Sequence, residues 1–355
     1  MSVLLDTPRY AAANAQVRAL STHLLDPMLR RQILEAPDVP TIFSLLQQAG
    51  IQAESINTGE KAQTTAIERR LRQRLARLSR LPAQLIAGRP RTLLVWYWRR
   101  FEIDNLKTVL RASHYQKPWA AVASGLIDLS PYSAIAWQSL AEAGSIGALI
   151  DRLPVDAYRH ALAAAMPRYQ RERSLFVLEA SLDLMYGRRL AAHIAALHGR
   201  DRQEAESYLG FQLDAQNLLW AYRYRIFAQL SPEEILNYTL HRRVRVNADV
   251  VRDIALGAPL RETVRSLWGD SLPGSAALGE LPDRQALSEL ELACRRYLAE
   301  EVRRAGRGYP LHLGALLAFL IRLEMETQDL TAIIEGRSSN WPSERIRSFL
   351  IGDWG

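Results

Sequence analysis

Residues 101–112, FEIDNLKTVLRA, follow the strongly apolar segment LLVWYW and bring two acids, an Asn and two cations within ten residues of one another. The acid Glu102 and the amide Asn105 are three residues apart, so on a helix they occupy neighbouring positions of one face. A helix that is apolar on most sides is buried, and buried polar groups need hydrogen-bond partners. The sequence therefore predicts an internal polar lock. Candidate partners of Glu102, and of Asp214 in the second copy of the motif, are Arg100, Arg111 and Arg223.

The acid-x-x-amide pattern occurs three times along the chain, in degenerate form and at a constant spacing of 112 residues. The three copies are Glu102-x-x-Asn105, Asp214-x-x-Asn217 and Glu326-x-x-Asp329. A second acidic landmark lies upstream of each copy, and its three positions are spaced by 111 and 112 residues. These landmarks are Glu68, Glu179 and Glu291. Two landmarks with one period predict three domain-sized repeats in a pseudo-threefold arrangement.

Each copy of the motif is followed by a proline that can open a new helix, because proline in the first turn loses no hydrogen bond. These prolines are Pro118, Pro232 and Pro342. They divide the chain into helical repeats at residues 1–118, 119–231 and 232–355. Good helix formers are abundant and alternating β patterns are scarce, so we predict an all-α fold of three pseudo-symmetric helical repeats.

Size and composition are those of a globular protein: 355 residues, 48% of them hydrophobic, with a net charge of +7. The longest nearly uncharged apolar run near the C-terminus is well short of the roughly 18–20 residues that span a bilayer. The N-terminus lacks the basic start and unbroken apolar core of a signal peptide. We therefore expect no transmembrane helix and a cytoplasmic protein. The single cysteine, Cys294, stands at an apolar helix position and is expected to be buried and inert.

The basic stretch IERRLRQRLARLSR, residues 67–80, is the best candidate for phosphate contacts. Its arginines are spread around a helix, however, whereas its apolar residues form one stripe. That stripe consists of Ile67, Leu71, Leu75 and Leu78. The pattern favours an ordinary amphipathic helix with a solvated face, and no nucleic-acid partner is expected.

Motifs for catalysis and cofactor binding are not found in the sequence. It contains no phosphate-binding P-loop, no G-x-G-x-x-G after a strand, no H-E-x-x-H and no paired C-x-x-C. Only two of the seven histidines are close in sequence, and they are five residues apart, which does not place them on one helix face. We expect no catalytic residues, no cofactor, no metal and no small-molecule substrate.

Taken together, the motifs resemble the family of C subunits of V-type and archaeal-type ATPases, whose eukaryotic member is the d subunit. The resemblance rests on FEIDNLKTVLRA, LEASLDLMYGRRL, FQLDAQNLLWAYRYRIFAQLSPEEILNYTL and the C-terminal LIRLEMETQDLTAIIEGRSSNWPSERIRSFLIG, with YAAANAQVRAL at the N-terminus. It covers the chain from about Tyr10 to Gly352. The last motif keeps Glu324, Glu326 and the following leucine of the family pattern but has Asp329 in place of Asn, which puts in question any hydrogen bond that needs an amide donor there.

The resemblance implies a funnel-shaped, non-catalytic central-stalk subunit of a rotary ATPase. Such a protein links the central shaft of the ATP-hydrolysing head to the membrane ring of ion-binding subunits and transmits torque for proton or sodium transport. It would lie at the cytoplasmic face of the membrane as a peripheral part of the complex. The cations that follow the motif, Lys107, Arg111 and Arg223, are candidate shaft contacts near the funnel interior. The alternative is a free-standing helical scaffold that binds protein or nucleic acid.

Overall fold

The computed structural model describes residues 3–51, 60–241, 243, 245–272, 274, 278–305 and 311–354. In these ranges the chain forms nineteen α-helices and no strand, so the predicted all-α class is confirmed. The first ten are α1 (Val3–Ser21), α2 (Pro27–Glu35), α3 (Val39–Gln48), α4 (Glu60–Arg80), α5 (Gly88–Trp98), α6 (Arg100–His114), α7 (Trp119–Ala123), α8 (Trp137–Ala141), α9 (Ile146–Asp151) and α10 (Asp156–Glu172). The others are α11 (Leu175–Ala195), α12 (Gly199–Ala205), α13 (Phe211–Ile226), α14 (Pro232–Asn237), α15 (Ala248–Ala255), α16 (Leu260–Trp268), α17 (Asp283–Ala305), α18 (Leu313–Ser338) and α19 (Ser343–Ser348).

Local capping chemistry explains where several helices begin. The Asp38 carboxylate accepts a hydrogen bond from the Thr41 amide at 2.8 Å at the start of α3. Ser231 and Glu234 form a reciprocal capping box around the first turn of α14. All three landmark prolines lie at helix starts, as predicted: one occupies the first turn of α14, and two immediately precede a helix. Those two are Pro118, before α7, and Pro342, before α19.

The basic helix α4 has the amphipathic form that its sequence indicates. Its predicted apolar stripe is buried along the whole length, from Ile67 to Leu78. Arg74 is the exception among its arginines, because it lies on the apolar face and is itself buried. Its guanidinium donates to the His23 carbonyl and to the Glu326 carboxylate. A residue that composition assigns to the solvated face therefore belongs to the interior.

Buried apolar side chains form one large cluster and two smaller ones. The large cluster joins α1 and α5 to α11, α13, α17 and α18. The second lies between α6 and the helices from α7 to α11. The third unites α2, α3 and the first half of α4 with the C-terminal half of α18 and with α19. The beginning and the end of the chain therefore share one apolar core.

Two expectations from the sequence, on the cysteine and on membrane-spanning helices, can be compared directly with the structure. Cys294 is buried, and burial raises the pKa of its thiol to about 12, so it stays protonated at neutral pH. In the described ranges, no helix combines the length and the hydrophobicity needed to cross a membrane.

Candidate functional site

The first polar lock lies on α6, directly after a break between α5 and α6 at Arg99. Glu102 is buried and accepts a hydrogen bond of 2.6 Å from the Tyr158 hydroxyl, with Arg99 Nε 3.8 Å from the same oxygen. Asn105 is also buried. Its amide donates to the carbonyl of Ile127 at 2.8 Å, and its Oδ1 accepts from the amide of the same residue at 2.9 Å. One side chain thus satisfies both backbone groups of a loop residue.

The second lock has the same design on α13. Asn217, which is completely buried, accepts from the Leu240 amide at 2.6 Å and donates to the carbonyls of Leu240 and Val246, each at 2.9 Å. Asp214 accepts from the Val246 amide at 3.2 Å and pairs with Arg243 Nε at 3.3 Å. Since side-chain exposure is only 3% for Arg243 and 4% for Asp214, this ion pair lies inside the protein.

A π-helical turn, Glu206–Gly210, directly precedes α13 and contacts Arg243. The Arg243 guanidinium donates to the Gly210 carbonyl at 2.7 Å. A Cβ on Gly210 would collide with the Glu206 carboxylate and press against Arg243 Nη2. Glycine at this position leaves room for the Arg243 guanidinium and for the carboxylate of Glu206. The irregular turn directly precedes the motif, as the break at Arg99 does in the first copy.

In the third lock, on α18, the acid joins the last part of the chain to the first. Glu326 Oε2 accepts from the Leu25 amide at 2.8 Å and from Arg30 Nη2 at 2.9 Å. Its other oxygen lies 3.4 Å from Arg74 Nη1. A buried carboxylate with two guanidinium partners and a backbone donor is well compensated for its lost hydration.

The hydrogen-bond partners of Asp329 explain why the third motif has an acid in place of the amide. Its carboxylate accepts from the amides of Ile351 and Gly352 at 2.7 and 2.9 Å and from the Trp354 indole at 2.7 Å. All three partners are donors, so a group that only accepts is suited to this position and an amide is not. Burial raises the pKa of Asp329, and the three donors oppose that effect.

The amide or carboxylate of every copy holds backbone groups at nearly the same distance downstream. Asn105, Asn217 and Asp329 bind main-chain groups 22, 23 and 22 residues further along the chain. Each side chain therefore holds a downstream backbone segment at nearly the same spacing, in agreement with the sequence period.

The upstream acids and the cations after the motif form ion pairs between helices. Arg111 on α6 donates to both carboxylate oxygens of Glu179 on α11, from Nε at 2.6 Å and from Nη2 at 3.0 Å. Arg223 on α13 binds Glu291 on α17 at 2.5 Å. Lys107 lies 2.5 Å from the carboxylate of Asp183 on α11. Burial and the charge of Glu335 on α18 raise the pKa of Glu68 on α4.

The arginines suggested as partners of the motif acids are used elsewhere, and helix geometry gives the reason. Arg111 and Arg223 each follow their motif acid by nine residues, which at about 100° per residue places them on the opposite side of the helix. Arg100 pairs with Glu324 at 2.7 Å, and the same carboxylate accepts from the Tyr97 hydroxyl at 2.7 Å. Although burial disfavours its charge, the Glu324 carboxylate raises the pKa of Arg100.

A cavity of about 310 Å³ lies where α6, α11, α13, α17 and α18 meet. Polar residues on its wall include Asp104, Asp183, Gln216, Glu324 and Gln328. Burial raises the pKa of Asp104 and of Asp183, and nearby Lys107 opposes both shifts. Lys107 reaches this cavity only through Asp183, since neither it nor Arg111 nor Arg223 lines the wall. A contact of these three cations with a shaft stays a prediction.

Several lock residues were not identified from the sequence. Tyr158 and Arg243 lie 56 and 29 residues from the acids that they bind, in regions without a repeated signal. A signal did exist for Arg74, which stands three residues after Leu71 and four before Leu78 and so interrupts an apolar stripe.

In the part of the chain that the structure describes, no group of three His, Cys, Asp or Glu residues could hold a metal ion.

Comparison with known proteins adds a family match along nearly the whole chain. The family model of the ATP synthase (C/AC39) subunit matches residues 13–349. The C subunit of the A-type ATP synthase of Methanocaldococcus jannaschii is 22% identical over 352 residues, covering 98% of this chain and 88% of that protein. The C subunit of the A-type ATP synthase of Haloferax volcanii is 26% identical over 348 residues, covering 97% of each chain. The corresponding protein of Haloquadratum walsbyi is 26% identical over 355 residues, covering 98% of this chain and 99% of its own.

Proposed function

Since the chain belongs to the ATP synthase (C/AC39) subunit family, we propose that it is the rotor adaptor between the central shaft and the membrane ring of a rotary ATPase. It is a non-catalytic subunit, and its work is mechanical: it transmits torque that couples ATP turnover in the head to proton or sodium transport through the ring. It lies at the cytoplasmic face of the membrane as a peripheral component. The observation that carries the proposal is the family match over residues 13–349.

The three locks support a pseudo-threefold funnel built from repeats at 1–118, 119–231 and 232–355. Equivalent side chains, Asn105, Asn217 and Asp329, bind backbone groups at equivalent distances along the chain. Ion pairs and buried carboxylates then connect one repeat to the next, as Arg111 with Glu179 does. A rotating adaptor must not deform under load, and buried, fully paired polar networks stiffen a helical fold.

The central cavity supports an axial binding position for the shaft. Helices from all three proposed repeats contribute to its wall, which carries both polar residues and apolar ones such as Trp220 and Met325. A shaft that ends in this region would contact all three repeats at once. The predicted shaft contacts Lys107, Arg111 and Arg223 lie outside the cavity wall, on helices that form it, and each is already oriented by a carboxylate on a neighbouring helix.

Binding to isolated partners tests the proposal. The full chain is mixed with the shaft subunits and with the detergent-solubilised membrane ring of the rotary ATPase from the same source, and complexes are separated by size and weighed. We expect a ternary complex with one copy of the chain per ring. A chain that is folded but binds neither partner would overturn the adaptor function.

A charge swap distinguishes a shaft contact from an internal lock. Arg111→Glu combined with Glu179→Arg reverses both charges and keeps their attraction, so the fold should persist. If Arg111 contacts the shaft, the swapped protein binds it more weakly than the wild type does. Unchanged affinity would restrict this residue to its structural role.

A further inference from the structure

Two of the three equivalent helix junctions are closed by an arginine–glutamate pair. Arg111 and Glu179 join α6 to α11, and Arg223 and Glu291 join α13 to α17. In both pairs the arginine precedes the glutamate by 68 residues and follows the motif acid by nine. The junctions are thus copies of one contact.

The third junction, between α18 and α4, brings together the two ends of the chain. Leu330, Ile333 and Ile334 of α18 share an apolar core with Ile67 and Leu71 of α4, so the two helices pack closely over this part of their length. The residues that directly follow Ile67 and Ile334 are Glu68 and Glu335.

At this junction the arginine of the repeated contact is replaced by an acid. Glu335 follows the motif acid Glu326 by nine residues, as Arg111 and Arg223 follow theirs, and Glu68 is the landmark equivalent to Glu179 and Glu291. A half-buried carboxylate, Glu68, and an exposed one, Glu335, therefore occupy the two positions that hold an ion pair at the other junctions. Burial and the Glu335 carboxylate raise the pKa of Glu68, which is the response expected of an acid beside a like charge.

We infer that the α4–α18 junction is a charge-controlled latch, which loosens at Glu68 and Glu335 when both carboxylates are ionised and tightens when one is protonated or neutralised by a cation. The loosening is local, because Glu326 holds the junction further along α18 through Arg30 and Arg74. The other two junctions have no such dependence, since each already contains its own cation.

Surrounding charges do not replace the missing arginine. On α4, Arg72 lowers the pKa of Glu68 and is the weakest of the three influences that act on it. The helix α3, which packs against both α4 and α18, carries no ionisable residue between Val39 and Gln48. Charged groups on the other helices that pack here have other partners: Arg89 donates to the Ala196 carbonyl, Arg345 lies over the Trp341 ring and Arg347 pairs with Glu35.

The direction of the pH effect follows from the raised pKa of Glu68. A carboxyl whose pKa is higher in the folded than in the unfolded protein disfavours the folded state when ionised. The cost is therefore absent below the ordinary glutamate pKa and appears as pH rises through the folded-state value. The latch is tight in acid and loose at neutral and alkaline pH.

Charge substitutions give a test in which the sign of each outcome is fixed in advance. Glu335→Arg and Glu68→Arg each create an opposite-charge pair, whereas the double substitution restores like charges. Hydrogen–deuterium exchange of the full chain, corrected for the intrinsic pH dependence of exchange, is followed in peptides from α4 and the end of α18. Glu335→Arg should slow exchange there by about two- to fivefold at pH 8. Glu68→Arg should slow it less, because it also removes the attraction between Glu68 and Arg72, and the double variant should not slow it.

Two further comparisons make the result specific. Glu289→Arg, which makes the same charge change at an exposed position of α17, should leave exchange in α4 and α18 unchanged. Wild-type exchange in α4 should slow when the pH is lowered from 8 to 5, and Glu335→Arg should remove that pH dependence. If the arginine variant does not fold, Glu335→Gln replaces it, and this variant should also slow exchange at pH 8, but by less. Equal exchange in the wild type and both single variants, or slower exchange in the double variant, would overturn the latch.

Discussion

Replacing Asn217 with alanine should destabilise the protein by about 3 kcal/mol. The side chain is completely buried and makes three hydrogen bonds, so its removal strands the amide of Leu240 and the carbonyls of Leu240 and Val246 in the interior. A buried polar group without a partner costs about 1–3 kcal/mol. Because the loop can relax and admit water, we take the lower end of that range for each of the three groups.

Asn217→Asp provides a second, pH-dependent version of this experiment. One carboxylate oxygen can still accept from the Leu240 amide, but the other faces two carbonyl oxygens that need a donor. At neutral pH the variant should be as unstable as the alanine variant. In acid the protonated carboxyl regains one donor, and part of the lost stability should return.

Urea unfolding of the full chain, followed by circular dichroism, measures both effects. The matched control is Gln216→Ala, on the same helix, whose side chain lines the open central cavity. Its cost should stay below about 1 kcal/mol. If Asn217→Ala were no more destabilising than Gln216→Ala, the amide would not be a structural lock and the equivalence of the three motifs would lose its physical basis.

Two more substitutions test single features of the motif regions. Asp329→Asn places an NH₂ group against the donors of Gly352 or Trp354, so it should lower the free energy of unfolding by about 1–3 kcal/mol in the same urea assay; a neutral outcome would show that a pure acceptor is not required there. Gly210→Ala should lower the melting temperature, because its Cβ would lie 3.3 Å from Nη2 of the buried Arg243, which is held by Gly210 and Asp214. Alanine is the better helix former by about 1 kcal/mol, so a rise in melting temperature would contradict the steric argument.

The burial of the motif acids and amides could be predicted from the sequence because its signal is local and repeated. An acid and an amide three residues apart on an apolar helix must be buried and must be satisfied, whatever surrounds them. The three copies at a spacing of 112 residues make this inference independent of any single position. The all-α class followed from the same helical periodicity.

The partners of the locks could not be predicted, because they are brought together only by the tertiary fold. Glu326 binds Arg30, which lies 296 residues away, and Glu102 binds Tyr158 from another part of the chain. Helix geometry alone would have excluded Arg111 as a partner of Glu102, since nine residues place the two on opposite sides of α6. The same geometry places Arg111 on the side of α6 that faces α11, where it pairs with Glu179.

Coupling in the reconstituted rotary complex is the decisive measurement of the adaptor role. Complexes assembled in vesicles with and without the chain are compared for ATP hydrolysis and for ATP-driven ion transport. An adaptor predicts that hydrolysis continues without the chain while ion transport falls to background, and that adding one copy per complex restores transport. Ion transport that is equally fast without the chain would contradict the adaptor role.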